Sequence, residues 1–314
     1  IITLKLLVIN KYIYILIMNK PIITKISTME IKPPKKKAFT IETDPDFIKL
    51  HTLCLASGKR GGGKSVAIAN LIKKAKDKGY YDKVFLVTPT YHSNKEIWDI
   101  ADINEEDVYE PDVDVLKKII KIVEAEREEW DQFQENKKMF TKFNNEMKTK
   151  TLDHIDEDDL MYYYENGLLN KDTNTLPKWK YRKEEPPKLA VILDDTMGTD
   201  LMKPSGGLTN FCIKHRHIGK GLGISVFMLV QSYCSREGVA RPIRENCTHL
   251  LLFKCKDEAQ IKKIHSEVGA DVDLDKFNQM FQYSTADPFC FLFVDFSPKE
   301  PSKTFRRCFN EYLN

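Results

Sequence analysis

The chain has 314 residues, 42% of them hydrophobic and 30% charged, with a formal net charge of +3. That is enough for one large domain or two small ones around a sizeable core, with a charge content that suits a soluble protein. The seven cysteines are odd in number and form no C-x-x-C pair, which excludes a disulfide framework and fits free thiols in a reducing compartment. Cys212, His215 and His217 cluster, but no second ligand pair follows at zinc spacing.

Residues 1–17 are apolar but interrupted by Lys5, Asn10 and Lys11. The run is shorter than the ~20 residues a membrane span needs, and no small-residue cleavage site follows it. The expectation is that translation begins at Met18 or Met29 and that no membrane is involved. Residues 1–47 then read as a loose Pro/Lys-rich lead-in, with Lys35, Lys36 and Lys37 as a solvated basic run.

Residues 48–57 are predicted as the first strand, followed by Gly58-Lys59-Arg60-Gly61-Gly62-Gly63-Lys64-Ser65 and a helical pattern from Val66 to Lys74. The octapeptide reads G-x-x-x-x-G-K-[ST], a P-loop, in the strand–loop–helix context this motif requires. Its glycines let successive backbone N–H groups cradle phosphate oxygens, and the helix adds its positive N-terminal end. Lys64 would reach the β- and γ-phosphates and Ser65 would ligate Mg²⁺, so ATP and Mg²⁺ are the expected cofactors.

A short buried strand at 83–87 ends in Thr88-Pro89-Thr90, and 94–104 reads as helix. A long helical pattern from 113 to about 148 places Val115, Leu116, Ile119, Ile120, Val123 and Trp130 on one apolar face. Polar, turn-rich sequence fills 150–188. Residues 105–185 hold 22 acidic and 14 basic side chains, a net of −8 against +11 for the remainder. They are assigned to an acidic helical insert in an ATPase core formed by 48–104 and 186–314. A basic core suggests a polyanionic partner, although a solvated insert on a core segregates charge in the same way.

Leu189-Ala190-Val191-Ile192-Leu193 is a second buried strand ending in Asp194-Asp195. A loop with Pro204, Ser205, Gly206 and Gly207 follows, then a helix near 208–216. Strands at 224–230 (ending at Gln231), 249–253 and 289–296 and a helix at 257–268 complete the pattern. Strands alternating with helices predict an α/β fold around a mostly parallel sheet.

The apolar strand ending in Asp194-Asp195 has the form of a Walker B segment at the edge where parallel sheets present ligand groups. Asp194 would hold the Mg²⁺ shell and Asp195 would act as base toward the attacking water. Alternatively the pair caps the next helix. Gln231 is placed to contact the γ-phosphate or the water, or is only a polar residue where a strand meets solvent. Arg216, within Lys214-His215-Arg216-His217, is the first candidate for a guanidinium aimed at a neighbouring subunit's γ-phosphate, with Arg241 and Arg244 as rivals.

The combination of Walker A at 58–65, Asp-Asp at 194–195, Lys-His-Arg-His and a strand ending in Gln231 resembles the FtsK–HerA superfamily. It is most similar to genome-packaging ATPases of large DNA viruses, over roughly 48–100 and 188–256. The resemblance implies a RecA-like P-loop core that assembles into a homo-oligomeric ring and drives double-stranded DNA into a capsid. It also implies capsid proteins as partners, a place in the cytoplasm or viral factory of an infected cell or in the virion, and a finger role for Arg216. Its second acid is often Glu, where this chain has Asp195. Lys203, Lys214 and Lys220 are candidates for DNA contact. The rival functions are another P-loop DNA motor, such as a helicase or replication ATPase, and a nucleotide-gated assembly scaffold.

Overall fold

A computed structural model describes residues 43–170, 174–203, 206–234, 238–268 and 272–314. The expectations for Met18, Met29 and the Lys35–Lys37 run, and Pro204-Ser205 of the predicted loop, lie outside the described residues. The described residues form one compact unit.

Nine strands form one sheet: β1 (Leu53–Ser57), β2 (Lys83–Val87), β3 (Val108–Tyr109), β4 (Leu189–Asp194), β5 (Ser225–Val230), β6 (His249–Phe253), β7 (Phe291–Asp295), β8 (Phe305–Arg307) and β9 (Glu311–Leu313). Their order is β3-β2-β4-β5-β1-β6-β7-β8-β9. The strands from β3 through β6 are parallel, and β7, β8 and β9 continue the sheet antiparallel. The fold class is therefore a mostly parallel α/β sheet. Every residue of β1, β4, β5, β6 and β7 is buried, as continuous apolar strands covered on both faces should be.

Alternate side chains serve the two faces. Cys54, Ala56, Ile192 and Phe227 point to the side covered by helices α1 (Lys64–Asp77) and α2 (Lys95–Ile100), with Ile68, Leu71, Ile72 and Trp98 packed on them. Helix α1 buries positions 68, 69, 71, 72 and 75, the spacing of one helical face. It ends where Gly79 adopts φ 70° and Tyr80 N–H donates to Ala75 O over 2.8 Å, a bond that satisfies a terminal carbonyl. Leu53, Leu55, Val191, Leu193, Val226 and Met228 point to the opposite side. That side is covered by α3 (Val115–Glu146), α5 (Leu208–Lys214), α6 (Arg241–Glu245), α7 (Glu258–Val268) and α8 (Leu274–Ser284).

The acidic insert is not separate along its whole length. β3 pairs with β2, and the first turns of α3 bury Val115, Leu116, Ile119 and Val123 against the main core. The 32-residue helix then runs on, about 48 Å in all, to a small cluster of its own. There Phe143 packs with Ile155, Tyr163 and Leu168, around a helix, α4 (Glu157–Glu165), inside the stretch expected to be turn-rich. Asp156 starts α4 by accepting a hydrogen bond from Asp158 N–H.

Candidate active site

The loop after β1 is tied to the sheet by Gly58 N–H, which donates to Val230 O over 3.1 Å. A Cβ on Gly58 would stand 2.5 Å from the Cβ of Phe253, so only glycine lets the loop leave β1 beside β6. Gly63 has φ 94°, a backbone that glycine adopts without strain, and leads directly into α1. Lys64 Nζ donates to Gly58 O (2.8 Å) and Lys59 O (3.1 Å), so the ammonium lies along the loop. Burial lowers the Lys64 pKa, and the charges of Asp194 and Asp195 oppose that shift.

Asp194, the last residue of β4, meets the first turn of α1. Ser65 Oγ donates to its Oδ2 over 3.1 Å and lies 3.4 Å from its Oδ1. Burial pushes the Asp194 carboxyl up to about 6; the Ser65 hydrogen bond opposes this, the Asp195 charge adds to it, and Lys64 opposes it. Asp195 has φ 55°, the left-handed turn with which β4 ends. Gln231 Nε2 donates to Asp195 Oδ1 over 3.3 Å. The loop residues 60–66, Thr90, Asn94, Asp194, Asp195, Gln231 and Phe289 surround a cavity of about 570 Å³.

A buried carboxylate and a hydroxyl side by side are hard oxygen donors, and that fits Mg²⁺. Among the described residues, no group of three or more His, Cys, Asp or Glu could hold a metal. Mg²⁺ suits such a site, because it takes most of its six oxygens from water and phosphate.

Lys64, Ser65, Asp194, Asp195 and Gln231 thus converge on one cavity. Arg216 does not join them. It is exposed in the turn after α5, and that turn sits at the amino end of the parallel strands, away from the carboxyl end that carries the cavity. His215 places it there: its ring lies between Cys212 O (Nδ1, 2.6 Å) and His51 O (Nε2, 3.2 Å), the latter just ahead of β1. The rival arginines are engaged elsewhere. Arg244 donates to both carboxylate oxygens of Glu267 (2.8 and 2.9 Å), and Arg241 to Glu245 (2.7 Å).

Several lining positions carried no site signal in the sequence, Thr90 and Phe289 among them. Thr90 Oγ1 accepts from Asn94 Nδ2 (3.0 Å) and lies 3.1 Å from Thr88 Oγ1, a small polar wall at the end of β2. Its one sequence signal is its place after a buried strand. Phe289 precedes β7 and packs on Gly63, with no local pattern to mark it.

A glycine loop between a central parallel strand and a helix, with a paired acid at the end of a strand two places away, defines a mostly parallel P-loop α/β fold. No family model matches the chain, and no curated protein sequence does. Among solved structures it is similar to the pCW3 conjugation coupling protein TcpA with ATPγS (15% identity, 78% of this chain and 58% of that one, TM-score 0.41). It is also similar to EssC (ATPases 2 and 3) from Geobacillus thermodenitrificans (16% identity, 77% and 37%, TM-score 0.40). A third is the genome packaging NTPase B204 from Sulfolobus turreted icosahedral virus 2 with AMPPCP (11% identity, 84% and 97%, TM-score 0.43). The chain thus spans 58% of TcpA and 37% of EssC but nearly all of B204.

Proposed function

We propose that the chain is an ATPase that translocates double-stranded DNA and packages a viral genome into a capsid. The observation that carries the catalytic part is the convergence of Ser65, Asp194, Asp195 and Gln231 on the cavity beside the P-loop. The loop N–H groups and Lys64 bind the phosphates and orient the terminal one. Ser65 and Asp194 would hold Mg²⁺, which would neutralise charge developing on the transferred phosphoryl group. Asp195 accepts the proton of the attacking water, and Gln231 fixes the direction of that carboxylate.

Arg216 lies at the other end of β5 from this chain's cavity, so its role is in trans, on a neighbouring subunit of a homo-oligomeric ring. The same turn supports the DNA reading. Lys214 and Lys220 are exposed on it and make no ion pair among the described residues, whereas Lys203 pairs with Asp200 over 2.5 Å. Contacts from such side chains go to phosphates and are therefore indifferent to sequence and sensitive to salt. Capsid proteins are the further partners, and the infected cell's cytoplasm or viral factory the place of action. Among the described residues no helix is long and apolar enough to cross a membrane.

The test is steady-state ATP hydrolysis with and without long duplex DNA at low and moderate salt. Stimulation by duplex that fades as salt rises is expected. Robust hydrolysis indifferent to DNA would overturn the translocase and leave a nucleotide-gated scaffold.

A further inference from the structure

Phe289 combines two features that neither the fold nor hydrolysis requires. It holds φ 65°, a left-handed backbone that is costly for a bulky side chain, and it is 69% exposed. An aromatic ring that is strained into place and then left in solvent gains little from folding. The ring is nevertheless well placed. A Cβ on Gly63 would meet both the Cβ and the Cδ1 of Phe289 at 3.1 Å, so the P-loop supports one side of the side chain. Phe289 also borders the cavity that holds Lys64, Ser65, Asp194 and Asp195, and it is the one aromatic residue lining it among the described residues.

Strand order sets the direction of anything lying in that cavity. Asp194 and Gln231 leave β4 and β5, on one side of β1. Phe289 enters β7, two places to the other side, and Phe291 pairs with Phe253 at the end of β6. A triphosphate whose terminal group faces the acids and whose chain follows the loop brings its nucleoside toward Phe289. Val66, 43% exposed, lies on that path at the start of α1.

We propose that Phe289 is the nucleobase platform of this site: the base of a bound nucleoside triphosphate stacks on its exposed ring. This rests on the nucleotide-binding reading above. A ring face offers contact area but no donor or acceptor, so the platform accepts every base and favours purines, whose faces are larger.

The test is equilibrium binding to the full chain, with Mg²⁺, of ATP, GTP, CTP, UTP and inorganic tripolyphosphate, which has the phosphates and no base. For Phe289→Ala the dissociation constant for ATP rises roughly 5- to 100-fold, while that for tripolyphosphate stays within twofold. Phe289→Tyr restores ATP affinity. Phe289→Gly removes ring and backbone strain together, so it weakens ATP binding without lowering the melting temperature. In the unaltered chain ATP and GTP bind more tightly than CTP and UTP. Unchanged ATP affinity in Phe289→Ala, or equal weakening of ATP and tripolyphosphate, overturns the platform. Unchanged affinity for both, with a change in oligomer size, would make Phe289 a subunit contact instead. Failure of the nucleotide-binding reading looks different: Lys64→Ala then leaves ATP and tripolyphosphate binding untouched.

Discussion

Ser65 Oγ donates to Asp194 Oδ2 over 3.1 Å, joining the first turn of the loop helix to the end of a strand 129 residues away in sequence. That bond stabilises the Asp194 carboxylate only partly, because burial holds the group up to about 6. An acid whose folded pKa exceeds its unfolded one stabilises the fold while protonated and loses that contribution as pH rises through the folded value. Between about pH 4 and 6 the Asp194 contribution is therefore progressively lost, and above about 6 the charge is a burden on the fold.

Asp194→Asn should therefore raise the melting temperature by a few degrees at pH 8 in the absence of nucleotide and metal. The same substitution should lower Mg²⁺-dependent hydrolysis by at least ~100-fold, because an amide is a weaker ligand for Mg²⁺. Differential scanning calorimetry and a phosphate-release assay on one preparation check both halves. A variant that loses stability and activity together would place Asp194 among the structural acids.

Gln231 and Asp195, 3.3 Å apart, should behave as one unit. Asp195→Asn keeps the left-handed backbone, which asparagine tolerates, and should fold normally while hydrolysing ATP ~100-fold or more slowly. Adding Gln231→Ala to it should cost little further. A double-mutant cycle on kcat reads this directly, and additive losses would show that the two act separately.

Arg216→Ala should leave nucleotide affinity unchanged and lower kcat by ~10³-fold or more. Mixed with Lys64→Ala subunits, it should regain measurable hydrolysis, because an intact P-loop then faces an intact Arg216 on its neighbour. No recovery in demonstrably mixed oligomers would remove Arg216 from the finger role.

His249 is buried and lies against Thr52 Oγ1 (2.8 Å) and Thr248 Oγ1 (2.9 Å), with Asp295 3.9 Å from its Nε2 and Lys49 and Arg306 nearby. Burial, reinforced by Lys49 and Arg306, pushes its pKa down to about 3. The unfolded chain takes up the proton near pH 6.5 and the folded chain does not, so stability present above that pH is lost as pH falls. The slope should approach ~1.4 kcal/mol per pH unit from this group between pH 6 and 4. Urea unfolding at several pH values should show a shallower loss in His249→Gln than in the parent chain.

Much of the frame was legible because buried parallel strands are short apolar runs and the P-loop has fixed spacing. The strands ending at Asp194 and Val230 lie within a residue of their expected limits. The helix α8 and the strands β8 and β9 were not foreseen. Phe305–Arg307 and Glu311–Leu313 are three-residue segments held by pairing to β7, and such short pieces carry no period of their own. The first strand is shorter than expected: it begins at Leu53, and ahead of it Thr52 makes only a single backbone bond to β5, accepting from Val226 N–H over 2.7 Å. Phe289 was invisible for another reason: its place depends on Gly63, 226 residues earlier, and no local pattern encodes such a contact.

The carboxyl and amino ends of the parallel strands are linked by β5. At one end Gln231 follows Val230, whose carbonyl holds Gly58; at the other, Ile224 N–H donates to His215 O over 2.9 Å, next to Arg216. Between them six buried residues, about 20 Å of chain, are clamped in register by β1 and β4. A strand held on both sides neither stretches nor buckles. Gln231 beside the cavity and the turn that carries Arg216 and Lys220 are therefore kept at a fixed separation, one rigid strand apart.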